Sequence, residues 1–135
     1  MADFSQGLVK SFAAAATMNE AYVCVKIGTN SNNVALPSAD NQEVLGVIQD
    51  KASANGAVPV MLNGSTKVVA NSAITKGDYL TAVTTTGRVQ TCPKVSTTWT
   101  GTANSIENVI GIALESATAS GQIIEMLIRP FQLAH

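Results

Sequence analysis

The side chains that carry most enzyme chemistry are few in this chain and poorly spaced for it. Its one histidine, His135, is the last residue. A Ser-His-Asp or Cys-His arrangement would rest on that single side chain, at a position where chains fray. Cys24 and Cys92 lack the spacing of metal ligands or of a redox pair, and the sequence allows either two buried free thiols or a disulfide between them. The carboxylates Asp40, Glu43, Asp50, Asp78, Glu107 and Glu115 are scattered, mostly at turns and strand ends, where solvated acids are common. No phosphate-binding or dinucleotide fingerprint occurs. Lys76-Gly77-Asp78 reads as a tight turn before a strand. Asn63-Gly64-Ser65 matches a glycosylation sequon but reads as a hairpin turn, because Asn-Gly suits paired positive φ angles. The expectation is a protein without catalytic residues, metal, cofactor or small-molecule substrate.

Charge narrows the partners. Eight basic and nine acidic residues leave a net charge of −1, and charged residues are only 13% of the chain. A nucleic-acid binder needs a basic patch to neutralise phosphates, and none is present. With 46% hydrophobic residues, such sparse charge suggests that a partner covers part of the surface. No run approaches the ~20 apolar residues of a membrane helix. Met1 to Gly7 lacks the basic start of a secretory signal, so the chain is expected to be made in a cytosol and to stay or assemble there. Its 135 residues suffice for one domain with its own core.

The elements that must position these residues read as strands. Tyr22 to Ile27, Val44 to Ile48, Val58 to Leu62, Lys67 to Ala70, Tyr79 to Val83, Arg88 to Thr91, Val109 to Leu114 and Ile123 to Ile128 are short runs rich in β-branched residues. The cluster from Gly28 to Asn33, Asn63-Gly64 and Thr86-Gly87 supply turns, the last two as hairpins. Pro130 is expected to end the final ladder. Residues 1–20 stand apart as an N-terminal arm. Leu8, Phe12 and Ala16 fall at helical spacing, allowing a short helix over Ser5 to Thr17, and the segment either orders against a neighbour or packs on its own domain. Residues 95–108 form a polar insertion in which Trp99 folds back as a local plug.

An internal repeat organises the domain, 21–135. Residues 44–62 align without a gap on 109–127, matching Val44/Val109, Gly46/Gly111, Ala52/Ala117, Ala54/Ala119, Gly56/Gly121, Met61/Met126 and Leu62/Leu127. Each copy reads as strand, polar turn, strand. Gly46 and Gly111 mark bulges or close backbone approach, Gly56 and Gly121 close the turns, and Gly64 belongs to the Asn-Gly hairpin. Tyr22 to Pro37 resembles Tyr79 to Pro93, which extends the repeat over most of the domain. The fold expected is all-β: a pseudo-twofold, barrel- or β-tulip-like domain of short antiparallel strands.

The ordered segments "VLGVIQDKASANGAVPVMLNGSTKVVA", "AITKGDYLTAVTTTGRV" and "NVIGIALESATASGQIIEMLIRP" resemble the capsid cement or head decoration proteins of tailed bacteriophages. The similarity covers about Val44 to Arg129, apart from the insertion. It implies a homotrimer on the exterior of the mature capsid, partnered by the major capsid protein and stabilising the lattice. Phe4, Leu8 and Phe12 are the candidate capsid contacts. Two other readings compete: a tail-tip or fibre-associated virion domain, and a carbohydrate-binding module stacking sugars on Trp99, Tyr22 or Tyr79.

Overall fold

Alternating apolar positions along short β-branched runs give ten strands in the computed structural model, which describes residues 7–30, 32–40, 42–92 and 106–134. No helix occurs among the described residues, and the chain is all-β. Strands β1 (Val9–Ala14), β2 (Cys24–Ile27), β3 (Asn33–Ala35), β4 (Gly46–Ile48) and β5 (Ala57–Met61) close into a barrel in the order β1-β3-β2-β4-β5. Strands β6 (Gly64–Val69), β7 (Tyr79–Ala82), β8 (Val89–Thr91), β9 (Ile106–Ala113) and β10 (Ile123–Ala134) form a sheet ordered β6-β10-β9-β7-β8.

These two orders are one topology used twice. β1 through β5 correspond to β6 through β10 in sequence, and every strand pairing except that of β1 with β3 is preserved. Phe12 faces Val58 on β1 and β5 as Val68 faces Ile124 on β6 and β10. Val25 faces Gly46 as Leu80 faces Gly111, and Ile27 faces Val34 as Ala82 faces Val89. The parallel ladder that closes the first barrel, Ala13 to Asn33 and Ala14 to Val34, survives in the second as one parallel bridge between Ala70 and Val89. The bridge from Met18 to Ala52 likewise recurs as Ile74 to Ala117. The repeat therefore includes β1, which the sequence analysis assigns to an arm.

The structural alignment carries one gap that the sequence alignment lacks. The stretch from Ala52 to the first residue of β5, Ala57, is one residue shorter than that from Ala117 to Ile123, the first of β10. The left-handed residue of the first turn is consequently Asn55 (φ 66°), not Gly56, and its counterpart is Gly121 (φ 90°). Both residues donate equivalent backbone hydrogen bonds, Asn55 to the Ala14 carbonyl and Gly121 to the Ala70 carbonyl, each at 2.8 Å. Beyond the turn Met61 matches Leu127, and Val58 and Val60 match Ile124 and Met126. All four of the latter point into barrel cores. Tyr22 and Tyr79 are not equivalent either: Tyr79 takes the place of Cys24, and Tyr22, at φ 63°, precedes its strand instead of starting it.

Other expectations change for physical reasons. The predicted helix over Ser5 to Thr17 is replaced by β1, whose backbone completes the open edge of β5 and so gains ladder bonds that a short isolated helix would not. A domain boundary after residue 20 would thus fall inside the first barrel. Asn63-Gly64 makes no hairpin. Both edges of β5 are taken, by β1 and β4, so β6 has no place beside it and pairs with β10. Gly64 (φ 92°) instead turns the chain from one barrel to the next. Ile106 to Asn108, expected within the polar insertion, belong to β9 and pair with Ala134, Leu133 and Gln132. Pro130 does not end the ladder, because a register shift between Ile128 and Phe131 accommodates it. The hairpin at Thr86-Gly87 forms as read, with Ala82 facing Val89.

Two apolar clusters fill the barrels. Met18, Val23, Val25, Val34, Ile48, Val58 and Val60 fill the first. Val68, Leu80, Val89, Ile110, Ile124 and Met126 fill the second, joined by Cys24, Val47 and Met61 from the outward face of the first barrel. Polar contacts follow the same seam. Cys24 N donates to the Gly87 carbonyl at 2.7 Å, Val69 N to the Tyr22 carbonyl at 3.0 Å, and Thr84 N to Asp40 Oδ1 at 2.8 Å. Arg88 grips Glu20 through Nε and Nη2, both at 2.9 Å, and these bonds hold the Glu20 carboxyl below its ordinary pKa.

Gly46 and Gly111 mark the same close approach in both barrels. A Cβ would overlap the Met61 carbonyl oxygen at the first and the Leu127 carbonyl oxygen at the second. Gly46→Ala and Gly111→Ala are each expected to cost about 1–3 kcal/mol, as overpacking against fixed backbone does. Urea unfolding measures this, and wild-type stability in either variant would contradict the close approach.

Candidate interaction surfaces

Several of the acidic side chains hold turns and strand ends. Asp78 Oδ2 accepts from Thr75 N (3.0 Å) and from the Thr91 hydroxyl (2.9 Å), which makes Lys76-Gly77-Asp78 the tight turn before β7. Asp40 caps Thr84 N, Asp50 accepts from Lys51 N, and Glu115 accepts from Glu125 N. Glu107 is buried on β9, where its negative charge reaches Cys92. Among the described residues no group of three or more His, Cys, Asp or Glu is placed to hold a metal ion. His135 and Trp99 lie outside the described residues.

Both cysteines are buried. Burial pushes the Cys24 thiol up to about 12. Burial, then the charge of Glu107, pushes Cys92 up to about 11. Neither is poised as a nucleophile, since the reactive form is the thiolate.

The candidate contact residues separate. Phe4 lies outside the described residues. Leu8 is 57% exposed and held by its backbone, which donates to Asn63 Oδ1 at 2.8 Å and accepts from Leu62 N at 2.7 Å. Phe12 packs against the first core, with Lys10 Nζ 5.6 Å from its ring centroid, and so serves the barrel. The aromatics proposed for sugar stacking do not share a platform. Tyr22 packs on the first core beside Lys67, whereas Tyr79 stands on the second barrel in edge contact with Phe131, 5.1 Å between centroids.

A surface feature without a sequence signal is the apolar outer face of the second barrel. Tyr79, Ile112 and Leu127 are directly paired across β7, β9 and β10, and Ile123 lies further along β10. Tyr79 and Leu127 are each 37% exposed and Ile123 is 54% exposed. Only the corrected repeat alignment picks out this line, as the counterpart of Cys24, Val47 and Met61. Elsewhere two clefts, of about 250 and 320 Å³, share Glu43 and Val44. The first runs to Phe131 and Gln132, and the second to Lys26 and Ile27.

No protein-family model matches the chain, and no curated protein matches it. Among solved structures it is similar to the head fiber gp8.5 N base of bacteriophage phi29, with a TM-score of 0.66 and 21% identity over 95% of this chain and 98% of that one. The two share a fold over nearly their whole lengths.

Buried thiols with raised pKa should resist a thiol reagent at neutral pH. Neither Cys24 nor Cys92 is expected to react with a disulfide reagent in the native protein, and both should react once it is unfolded. Rapid labelling of either one under native conditions would contradict its placement in the core.

Proposed function

We propose that this chain is a structural protein of a tailed-phage virion, seated on the outside of the head. It assembles as a homotrimer, binds the major capsid protein and cements the lattice. The supporting observation is the end-to-end likeness of fold to a phage head-fibre base, which fits the ordered Gly-, Ala- and Val-rich motifs of head decoration proteins. The spending of carboxylates and thiols on turns and cores accords with it.

The physics suits such a role. A preorganised binding body loses little conformational entropy on docking. Repeating one modest contact at every site of a lattice, three at a time, gives avidity without a tight single interface. Leu8, exposed at the start of β1 next to the barrel junction, and Phe4 just before it are the capsid-facing candidates. Because charge is sparse, docking is driven by apolar and backbone contacts, so salt should weaken it little.

A second reading, the base of a head fibre, is favoured by the likeness of fold to the head-fibre base of phage phi29. Such a base binds the head equally but need not strengthen it. Heat release of DNA separates the two: cementing raises the temperature at which heads lose DNA, and a plain base leaves it unchanged.

The purified chain is expected to sediment with expanded phage heads, to do so in molar salt, and to bind less in the variant Leu8→Asp. A chain that stays in the supernatant at every salt concentration would overturn the head-binding reading. Full binding by Leu8→Asp would remove Leu8 from the contact.

A further inference from the structure

One strand position is filled in the second half of the repeat and vacant in the first. In the second half β10 runs on past its bulge at Pro130, and Phe131, Gln132 and Leu133 pair with Val109, Asn108 and Glu107 of β9. The counterparts of those β9 residues are Val44, Glu43 and Gln42. They have no such partner. β5 stops at Met61, Leu62 N donates to the Leu8 carbonyl, and Gly64 carries the chain away into β6, beside β10. Among the described residues no hydrogen bond reaches the backbone of Gln42, Glu43 or Val44, whereas Leu45 N donates to the Val25 carbonyl. Beside them the cleft of about 250 Å³ runs from Glu43 and Val44 to Phe131 and Gln132.

We infer that the edge from Gln42 to Val44 is the docking site for an extended segment of the major capsid protein, added as an antiparallel strand. The inference rests on the head-binding reading above and names the contact through which it acts. The vacancy selects the kind of occupant. The equivalent edge of the same fold is completed by a strand, and unpaired N–H and C=O groups beside a cleft take an extended chain through main-chain bonds. Opposite Val44 the segment places an apolar residue, as Phe131 stands opposite Val109. Main-chain bonds need no charged side chains, which agrees with the 13% of charged residues in the chain.

The test is cosedimentation of the full chain with expanded phage heads, joined to hydrogen exchange of the free and head-bound protein by mass spectrometry. The wild type is expected to pellet. Its Glu43 and Val44 amides should exchange freely in the unbound chain, and at least one should gain roughly tenfold protection on the head. Successive N–H groups of an extended chain point to opposite sides, so one of Glu43→Pro and Val44→Pro should bind at least about tenfold more weakly. Neither N–H has a partner in the free chain, so circular dichroism and thermal unfolding should show both variants folded. Glu43→Ala keeps the N–H and should bind as the wild type does. Wild-type binding by both folded proline variants, or unchanged exchange of both amides on the head, would overturn this edge while leaving head binding in place. Amides already protected in the free chain would show that the chain fills the edge itself, and would overturn the docking site. A wild type that stays in the supernatant would overturn head binding and this contact together.

Discussion

The line Cys24–Val47–Met61 is the contact on which the architecture depends. A five-stranded barrel has an inside and an outside, and these three residues lie outside the first barrel yet inside the second core. Burying side chains of this size stabilises by about 1.5–3 kcal/mol each, a large share of the net stability of a small domain. The second five strands form an open sheet, with a single parallel bridge where the first barrel has a ladder, so its core relies on that external wall. The same demand explains the composition of β5. Facing one core with Val58 and Val60 and the other with Met61, it leaves only Ala57 exposed and Pro59 half-buried, and reads as a continuous apolar run.

Polar contacts at the seam then fix the relative position of the barrels. The turn between β7 and β8 docks on the first barrel, and Gly87 (φ 70°) is the residue that allows it, because a Cβ there would overlap the Cys24 carbonyl oxygen. Arg88, next in sequence, reaches Glu20 and also the Ser120 hydroxyl at 3.2 Å, so one side chain ties both halves together. The result is a body whose two halves meet through side-chain and backbone contacts along one seam.

Much of this was legible in residue patterns. β-Branched runs located eight of the ten strands, although β10 runs past its expected end at Ile128 to Ala134, and Gly46 and Gly111 signalled the repeat through a close approach that no side chain survives. What stayed hidden had physical causes. β1 is Ala-rich and weakly patterned, and only the vacant edge of β5 makes it a strand. β3 is three residues in a polar stretch, held by partners distant in sequence. The one-residue gap in the repeat escaped because Gly56 matches Gly121 by type, whereas the turn demands a left-handed residue that Asn55 supplies equally well. The exposed line on β7, β9 and β10 is ordinary apolar sequence, and becomes distinctive only when its covered counterpart is known.

Native-state hydrogen exchange of Val47→Ala tests the shared wall most directly. Val47 belongs by sequence to the first barrel, and its truncation leaves every backbone pairing in place. If the line seals the second core, amides of Leu80, Ile110 and Met126 should lose protection together with those of Val25 and Val60, by a similar amount of about 1–2 kcal/mol. Loss confined to the first barrel, with the second unchanged, would contradict the account and leave two barrels that merely touch.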